Sequence, residues 1–293
     1  MKAAVARTLY WTAAWAGRPV HGLRPRKIYH RLAEAGFTKP QFRWHRNRYG
    51  QRMRLSPYYW IDRDIIPLGC YDPAQHRALA NLVTPGMTVL DIGANIGDVA
   101  LHLAHLAGPT GQVHAFEPVP DVYRRLQEHV DANNLGDRVH THTVALSDQN
   151  GTMTFAAADL HGRNQGQGSL VNQERETAAV ELEVPTRTLD GMVDELGIDR
   201  LDLIKLDIQG GETFMLRGGE ATIRRFRPVL VMEVEPEDLA CLGRDSRDLV
   251  RQVTELGYRV CRHEKGRPGA ALDPETLAPD FRASHVICLP NHP

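Results

Sequence analysis

An α/β fold, with a mostly parallel sheet and helices on both faces, is what this sequence predicts, and three observations predict it. From Thr88 onward, short apolar runs alternate with stretches of helical period. The first junction, "TVLDIGANIGDVALHLA" (residues 88–104), joins a strand pattern to a helix pattern through a turn that holds Gly93 and Gly97. The chain has 293 residues, enough to bury a sizeable core without disulfides.

Composition excludes several classes. The formal net charge is -1, so no global field draws the protein to nucleic acid or acidic lipid. Cys70, Cys241, Cys261 and Cys288 are widely spaced and form no CxxC pair, which reads as reduced, mostly buried thiols of a cytoplasmic protein rather than a zinc site. No apolar run reaches the ~18 residues of a membrane span. The N-terminal "MKAAVARTLYWTAAWAGRP" reads as a short amphipathic helix that packs on the protein or touches a membrane surface.

The elements follow in order. Residues 1–81 read as an N-terminal extension of helix plus β-hairpin, with surface for substrate or a second copy; residues 82–293 read as the main domain. Within the extension, "HRNRYGQRMRLSPYYWIDRDI" predicts a β-hairpin turning at Gly50. "DPAQHRALANLVTPG" predicts a helix with Asp72 as N-cap and Pro73 at its first position. In the main domain "TVLDIGA" is a strand, and a helix with Asn95 as N-cap runs to Gly108. "QVHAFEP" is a strand, "VPDVYRRLQEHVDANNLG" a helix, and "RVHTHTVAL" a third strand. Then "GTMTFAA" and "AVELEVPTRT" predict two strands around a long polar loop, which favours a functional loop. "TLDGMVDELG" is a helix, "LDLIKLDIQ" a buried strand, and "GETFMLRGGEATIRRF" a helix broken near Gly218-Gly219. "RPVLVMEVEP", "YRVCRH" and "ASHVICLP" are further strands, with the helix "SRDLVRQVTELG" before the last two.

In such sheets ligands bind beyond the carboxyl ends of the strands. The glycine turn and the free N–H groups of the next helix face that crevice. The spacing Gly93-x-x-x-Gly97 is neither the dinucleotide nor the nucleoside-triphosphate pattern. Asp91 ends the first strand and Glu117 the second, where a carboxylate accepts both hydrogen bonds of a ribose diol. A ligand with a ribose but no required pyrophosphate fits, and S-adenosylmethionine (SAM) is such a ligand. Its amino-acid part would meet Asp91, Gly93, Ala94, Asn95 and Gly97. Its ribose would meet Glu117 beside Pro118, and its adenine Ala145 and Leu146.

Six stretches together resemble the FkbM-type family of SAM-dependent methyltransferases: "VLDIGANIGDVALHLA", "VHAFEPVPDVYRRLQEHVDANN", "VALSDQNGTMTF", "VPTRTLDGMV", "IDRLDLIKLDIQGGETFMLRGG" and "RPVLVMEVEP". The resemblance runs from about Gly69 to Pro290. It implies a Rossmann-like methyltransferase fold with a seven-stranded sheet whose last strand is antiparallel. It also implies methyl transfer to a hydroxyl of a saccharide or small natural product. Asp207 falls on the aspartate of the family's D-[VI]-E-G-x-E stretch, but Gln209 stands where Glu is frequent and Gly211 where Ala is frequent.

Catalysis then needs an oriented acceptor and a base. Asp207 is the first candidate for orientation. Glu212 follows one turn later, as a catalytic carboxylate or as the charge at a helix start. With Glu233 these acids could hold a divalent metal, but the metal-free reading is preferred. His161, in the polar loop, is the candidate base; its alternative is an exposed loop histidine. Arg163, Asn164 and Ser169 suit hydroxyl or anionic acceptors. Lys205, inside an apolar strand, either reaches the surface or pairs with an acid, a catalytic role being the lesser reading. His102 and His105 read as surface residues. An N-methyltransferase on a sugar amine or protein, and a SAM-binding module without turnover, stay open as alternatives.

Overall fold

The computed structural model describes residues 2–16, 26–157, 168–169 and 180–291. Helices α1 (Lys2–Ala16) and α2 (Arg26–Gly36) pack together through Tyr10, Tyr29 and Phe37, and the Tyr29 hydroxyl donates to the Ala13 carbonyl at 2.8 Å. Strands β1 (Arg43–Arg46) and β2 (Arg52–Leu55) form the expected antiparallel hairpin, with Gly50 at φ 80° in its turn. The hairpin ends sooner than its basic-apolar alternation predicts. Residues Trp60–Leu68 form helix α3, which buries Ile65 and Ile66. Its Asp62 is fully buried and accepts from the Ser56 N–H and the Arg125 guanidinium, both at 2.7 Å.

Helix α4 (Pro73–Leu82) is capped as expected, the Asp72 carboxylate accepting from the N–H groups of Ala74 and Gln75. Next come β3 (Thr88–Ile92), α5 (Asp98–Ala107), β4 (Gln112–Phe116), α6 (Pro120–Ala132) and β5 (Val139–His142). Asn95 is not the cap of α5: Gly97 holds that position at φ 90°, and the helix starts at Asp98. The stretch read as one third strand is two. Its second part, β6 (Ala145–Ser147), leaves the main sheet to pair with β9 (Val180–Thr188), which also pairs with β7 (Gly151–Ala157); β8 (Gly168–Ser169) completes this smaller sheet.

The remaining elements are α7 (Leu189–Glu195), β10 (Leu203–Leu206), α8 (Glu212–Gly218), α9 (Glu220–Phe226), β11 (Val229–Val234), α10 (Pro236–Ala240), α11 (Ser246–Glu255), β12 (Tyr258–Glu264), β13 (Arg267–Ala271) and β14 (Ala283–Pro290). The helix break at Gly218-Gly219 is as expected. The main sheet runs β13-β12-β14-β11-β10-β3-β4-β5. Strands β11, β10, β3, β4 and β5 are parallel, and β14, the last strand, is antiparallel to both its neighbours. The seven expected strands are present, with β13 added at the edge as a hairpin partner of β12. Alternate residues feed two cores. Val89, Val113, Ala115 and Leu203 pack toward α5 and α6, whereas Leu90, Ile92, Ile204 and Leu206 pack toward α7, α8 and α11.

Candidate active site

The parallel register sets Lys205 of β10 directly beside Asp91 of β3, in the middle of the sheet. Both are buried, and the ammonium lies 3.0 Å from the carboxylate. The same ammonium donates to the Gly93 carbonyl at 2.8 Å, so it ties the glycine turn to the strand beneath it. Burial pushes the lysine pKa down, but the Asp91 and Asp207 carboxylates outweigh it and hold the ammonium above the usual lysine value. Asp91 thus works behind the turn, and Lys205 is the partner of an acid, not a surface group.

The two glycines answer to the protein's own packing. Gly93 has φ 78°, and a Cβ there would lie 1.9 Å from the Asp207 carbonyl oxygen. Gly97 has φ 90°, and a Cβ there would meet Leu126 Cδ1 at 2.6 Å. Their small size lets β3, β10 and α6 converge under the crevice.

A cleft of about 1000 Å³, solvent-open space included, lies over this turn. Gly93, Ala94 and Asn95 form its floor, and Glu117 stands at its side. The Glu117 carboxylate accepts from the Asn95 N–H at 3.0 Å and the Val119 N–H at 2.9 Å, which fix its direction. Burial raises its pKa to about 7, against the pull of those two donors. Phe116, Pro118, Val144, Ala145 and Leu146 give the cleft apolar lining. Asp98 also lines it. One Asp98 oxygen accepts from the Tyr71 N–H at 2.8 Å and lies 3.0 Å from His76 Nε2. The other is buried without a hydrogen-bond partner among the described residues.

A second cavity, about 1060 Å³ with open space included, adjoins the first and shares Tyr71, Gln75, Asp207 and Gln209 with it. Leu68, Asp72, Pro73, Glu233, Ser284 and His285 line the rest. The Gln209 amide donates to Asp207 at 3.4 Å and Glu233 at 3.3 Å. Burial, then the Asp207 and Glu212 carboxylates, push Glu233 up to about 9, so it holds a proton at neutral pH. His285 is buried; its Nε2 lies 2.6 Å from the Gln75 amide and its Nδ1 3.7 Å from the Asp72 carboxylate. Burial lowers its pKa, which leaves it a neutral proton acceptor.

The expected site residues divide accordingly. Gly93, Ala94, Asn95, Glu117, Pro118, Ala145 and Leu146 line the cleft, and Asp207 lies at the junction of the two cavities. Asp91 and Gly97 support the floor from below. Glu212 lines neither cavity; it is buried at the start of α8, accepts from the Ile208 N–H at 3.0 Å, and has its pKa raised by burial to about 7. His161, Arg163 and Asn164 lie outside the described residues, as does the Ser169 side chain. His105 is exposed, but His102 is buried under the Tyr49 ring, at a centroid distance of 4.1 Å, and not at the surface. Sequence reasoning missed Ile61, Tyr71, Gln75 and Asp98 in the cleft and His285 in the second cavity. Only the cap position of Asp72 hinted that this segment mattered. Among the described residues no group of three His, Cys, Asp or Glu side chains is placed to hold a metal ion.

Residues 91–260 match the family model described as Methyltransferase FkbM domain. The chain is similar to 2-O-methyltransferase NoeI of Sinorhizobium fredii, 32% identical over 165 residues, which cover 52% of this chain and 65% of that protein. It is also similar to 31-O-demethyl-FK506 methyltransferase FkbM of Streptomyces tacrolimicus, 32% identical over 179 residues, covering 53% of this chain and 67% of that one. Among solved structures it is similar to Methyltransferase FkbM from Methylobacillus flagellatus, with a TM-score of 0.44 and 14% identity over 78% of this chain and 54% of that chain. The chain thus spans about two-thirds of the length of each of these two relatives.

Proposed function

This chain belongs to the FkbM methyltransferase family, and on that premise we propose that it is a SAM-dependent O-methyltransferase acting on a saccharide or small natural product. The observation that carries the reading is Glu117, a buried carboxylate aimed by two backbone donors into a cleft over a glycine turn. A carboxylate so placed suits a ribose diol, and the unpartnered Asp98 oxygen suits an ammonium. The apolar lining at Phe116, Ala145 and Leu146 suits an adenine. SAM carries all three groups, and when bound it supplies a methyl on a positive sulfonium. The names of the two relatives, a 2-O-methyltransferase and a 31-O-demethyl-FK506 methyltransferase, support oxygen as the acceptor atom.

The chain's own part is to place the acceptor and receive its proton. Asp207, at the junction of the cavities, orients the acceptor hydroxyl toward the cleft. Gln209 donates to both Asp207 and Glu233 and so holds the two carboxyl groups in one arrangement beside the acceptor. His285, neutral and held at Nε2 by the Gln75 amide, takes the hydroxyl proton at Nδ1, the nitrogen that faces Asp72, and the Asp72 carboxylate stabilises the imidazolium that results. Residues 1–81 wall both cavities, with Ile61 on the cleft, Asp72 on the acceptor side and Tyr71 and Gln75 on both, while the glycine turn and Glu117 of residues 82–293 hold the cofactor. A second reading, methylation of an amino-sugar nitrogen, draws on the Asp72 and Asp207 carboxylates, which also suit a cationic acceptor.

The test is calorimetric titration with SAM and S-adenosylhomocysteine, beside Glu117→Ala, followed by an acceptor screen with methyl-labelled SAM. Micromolar binding lost in the variant and label on oxygen support the proposal. Label only on nitrogen replaces it with the second reading. Binding without turnover across the panel makes the chain a SAM-binding module.

A further inference from the structure

We propose that the N-terminal segment is a docking face for an anionic lipid surface. The near-neutral charge of the whole chain conceals a division. Residues 1–81 carry 15 Lys and Arg against 4 Asp and Glu, whereas residues 82–293 carry 20 against 32. One segment is therefore strongly cationic and the rest strongly anionic.

Exposed apolar side chains divide along the same line. Among the described residues the large hydrophobic side chains that stay exposed are Val5, Leu9, Ile28, Trp44 and Trp60, all within the cationic segment. Val5 and Leu9 lie one helical turn apart on α1, 54% and 51% exposed, while Ala6 and Tyr10 on its other side hold it to the protein. Lys27 and Arg31 flank Ile28 on α2 and are exposed. On the hairpin, Arg43 and Arg52 are exposed, and the Arg52 guanidinium sits 4.8 Å over the Trp44 ring. No helix among the described residues is long and apolar enough to cross a membrane. The segment thus has the parts of a surface-bound module: cations for headgroups, and aliphatic and indole side chains for the layer beneath.

Anionic lipid fits this composition better than its rivals. Nucleic acid would use the cations but offer nothing to Val5, Leu9 and Ile28, since its affinity comes from phosphates. A second copy presenting the same face would repel it. The inference rests on residues outside both cavities, so it stands or falls apart from the proposed reaction.

The experiment is co-sedimentation of the full chain with vesicles of phosphatidylcholine alone or mixed with phosphatidylglycerol, at low and raised salt. We expect binding to the mixed vesicles only, weakened by salt. Each exposed Lys or Arg should contribute about fivefold, so the combined K27E/R31E/R43E/R52E variant should lose at least about a hundredfold. V5S/L9S keeps the charge and should lose about tenfold. Circular dichroism melting establishes that each variant is folded. The proposal is overturned by equal binding to both vesicle types, by V5S/L9S binding as well as the parent, or by no binding to mixed vesicles. Tighter binding to duplex DNA or transfer RNA than to vesicles overturns it too, as does self-association in place of vesicle binding.

Discussion

Replacing Asp91 by asparagine probes the buried pair under the glycine turn. The change keeps shape and hydrogen-bonding capacity but removes the negative charge 3.0 Å from the Lys205 ammonium. Both side chains are at most 3% exposed, so water cannot take over. Breaking such a pair costs about 3–5 kcal/mol. Asp207 and Glu117 also act on Lys205 and soften the loss, which sets the expectation near 3 kcal/mol. For a chain of this size that is a fall of roughly 6–12 °C in melting midpoint. The assay is urea unfolding at neutral pH, where the midpoint should shift without a change in slope. The double variant Asp91→Leu/Lys205→Met, apolar on both sides, should recover at least half of the loss. Because the folded-state pKa of Lys205 is raised, the pair's contribution is not lost on the alkaline side until pH climbs through the folded lysine value. Burial raises the Asp91 pKa as well, so the deficit of Asp91→Asn should hold from neutral pH to pH 9 and shrink as the carboxylate takes a proton on the acid side. A loss under about 1 kcal/mol, or a double variant whose loss is the sum of the singles, would refute the pairing argument.

Three more outcomes follow from the same geometry. Glu117 must be ionised to accept both ribose donors, and its pKa stands at about 7; SAM affinity should rise about tenfold from pH 6 to pH 8, and calorimetry on Glu117→Gln should show that dependence gone. His285→Asn should leave the SAM dissociation constant unchanged and lower kcat by about 10²–10⁴; a change confined to KM would remove His285 from proton transfer. Gly93→Ala forces a Cβ against the Asp207 carbonyl at φ 78°, whereas Gly97→Ala meets only the tip of Leu126. The first should therefore cost more stability than the second, with ~1–2 kcal/mol from φ alone in each, and equal melting points would contradict the packing account.

Much of this protein is written locally and could be read without coordinates. Strand and helix alternation, the Asp72 cap, Gly108 at a helix end and the Gly218-Gly219 break all act within a few residues, where backbone sterics and nearest hydrogen bonds decide. The carboxylate at the end of the second strand was legible for the same reason: its place in the pattern sets its place in the crevice. Other features depend on contacts between distant segments. Asp91 pairs with Lys205 because two parallel strands meet in one register, which no local signal encodes. Gly93 is glycine because the end of β10 passes over it, 114 residues further along the chain. The helix at residues 60–68 buries Asp62 against Arg125, a partner 63 residues away. His285 becomes a base candidate only when the antiparallel last strand brings it to Gln75, 210 residues away. Local sequence chose the elements and the crevice; the long-range pairing of buried charge and close backbone decided which side chains face it.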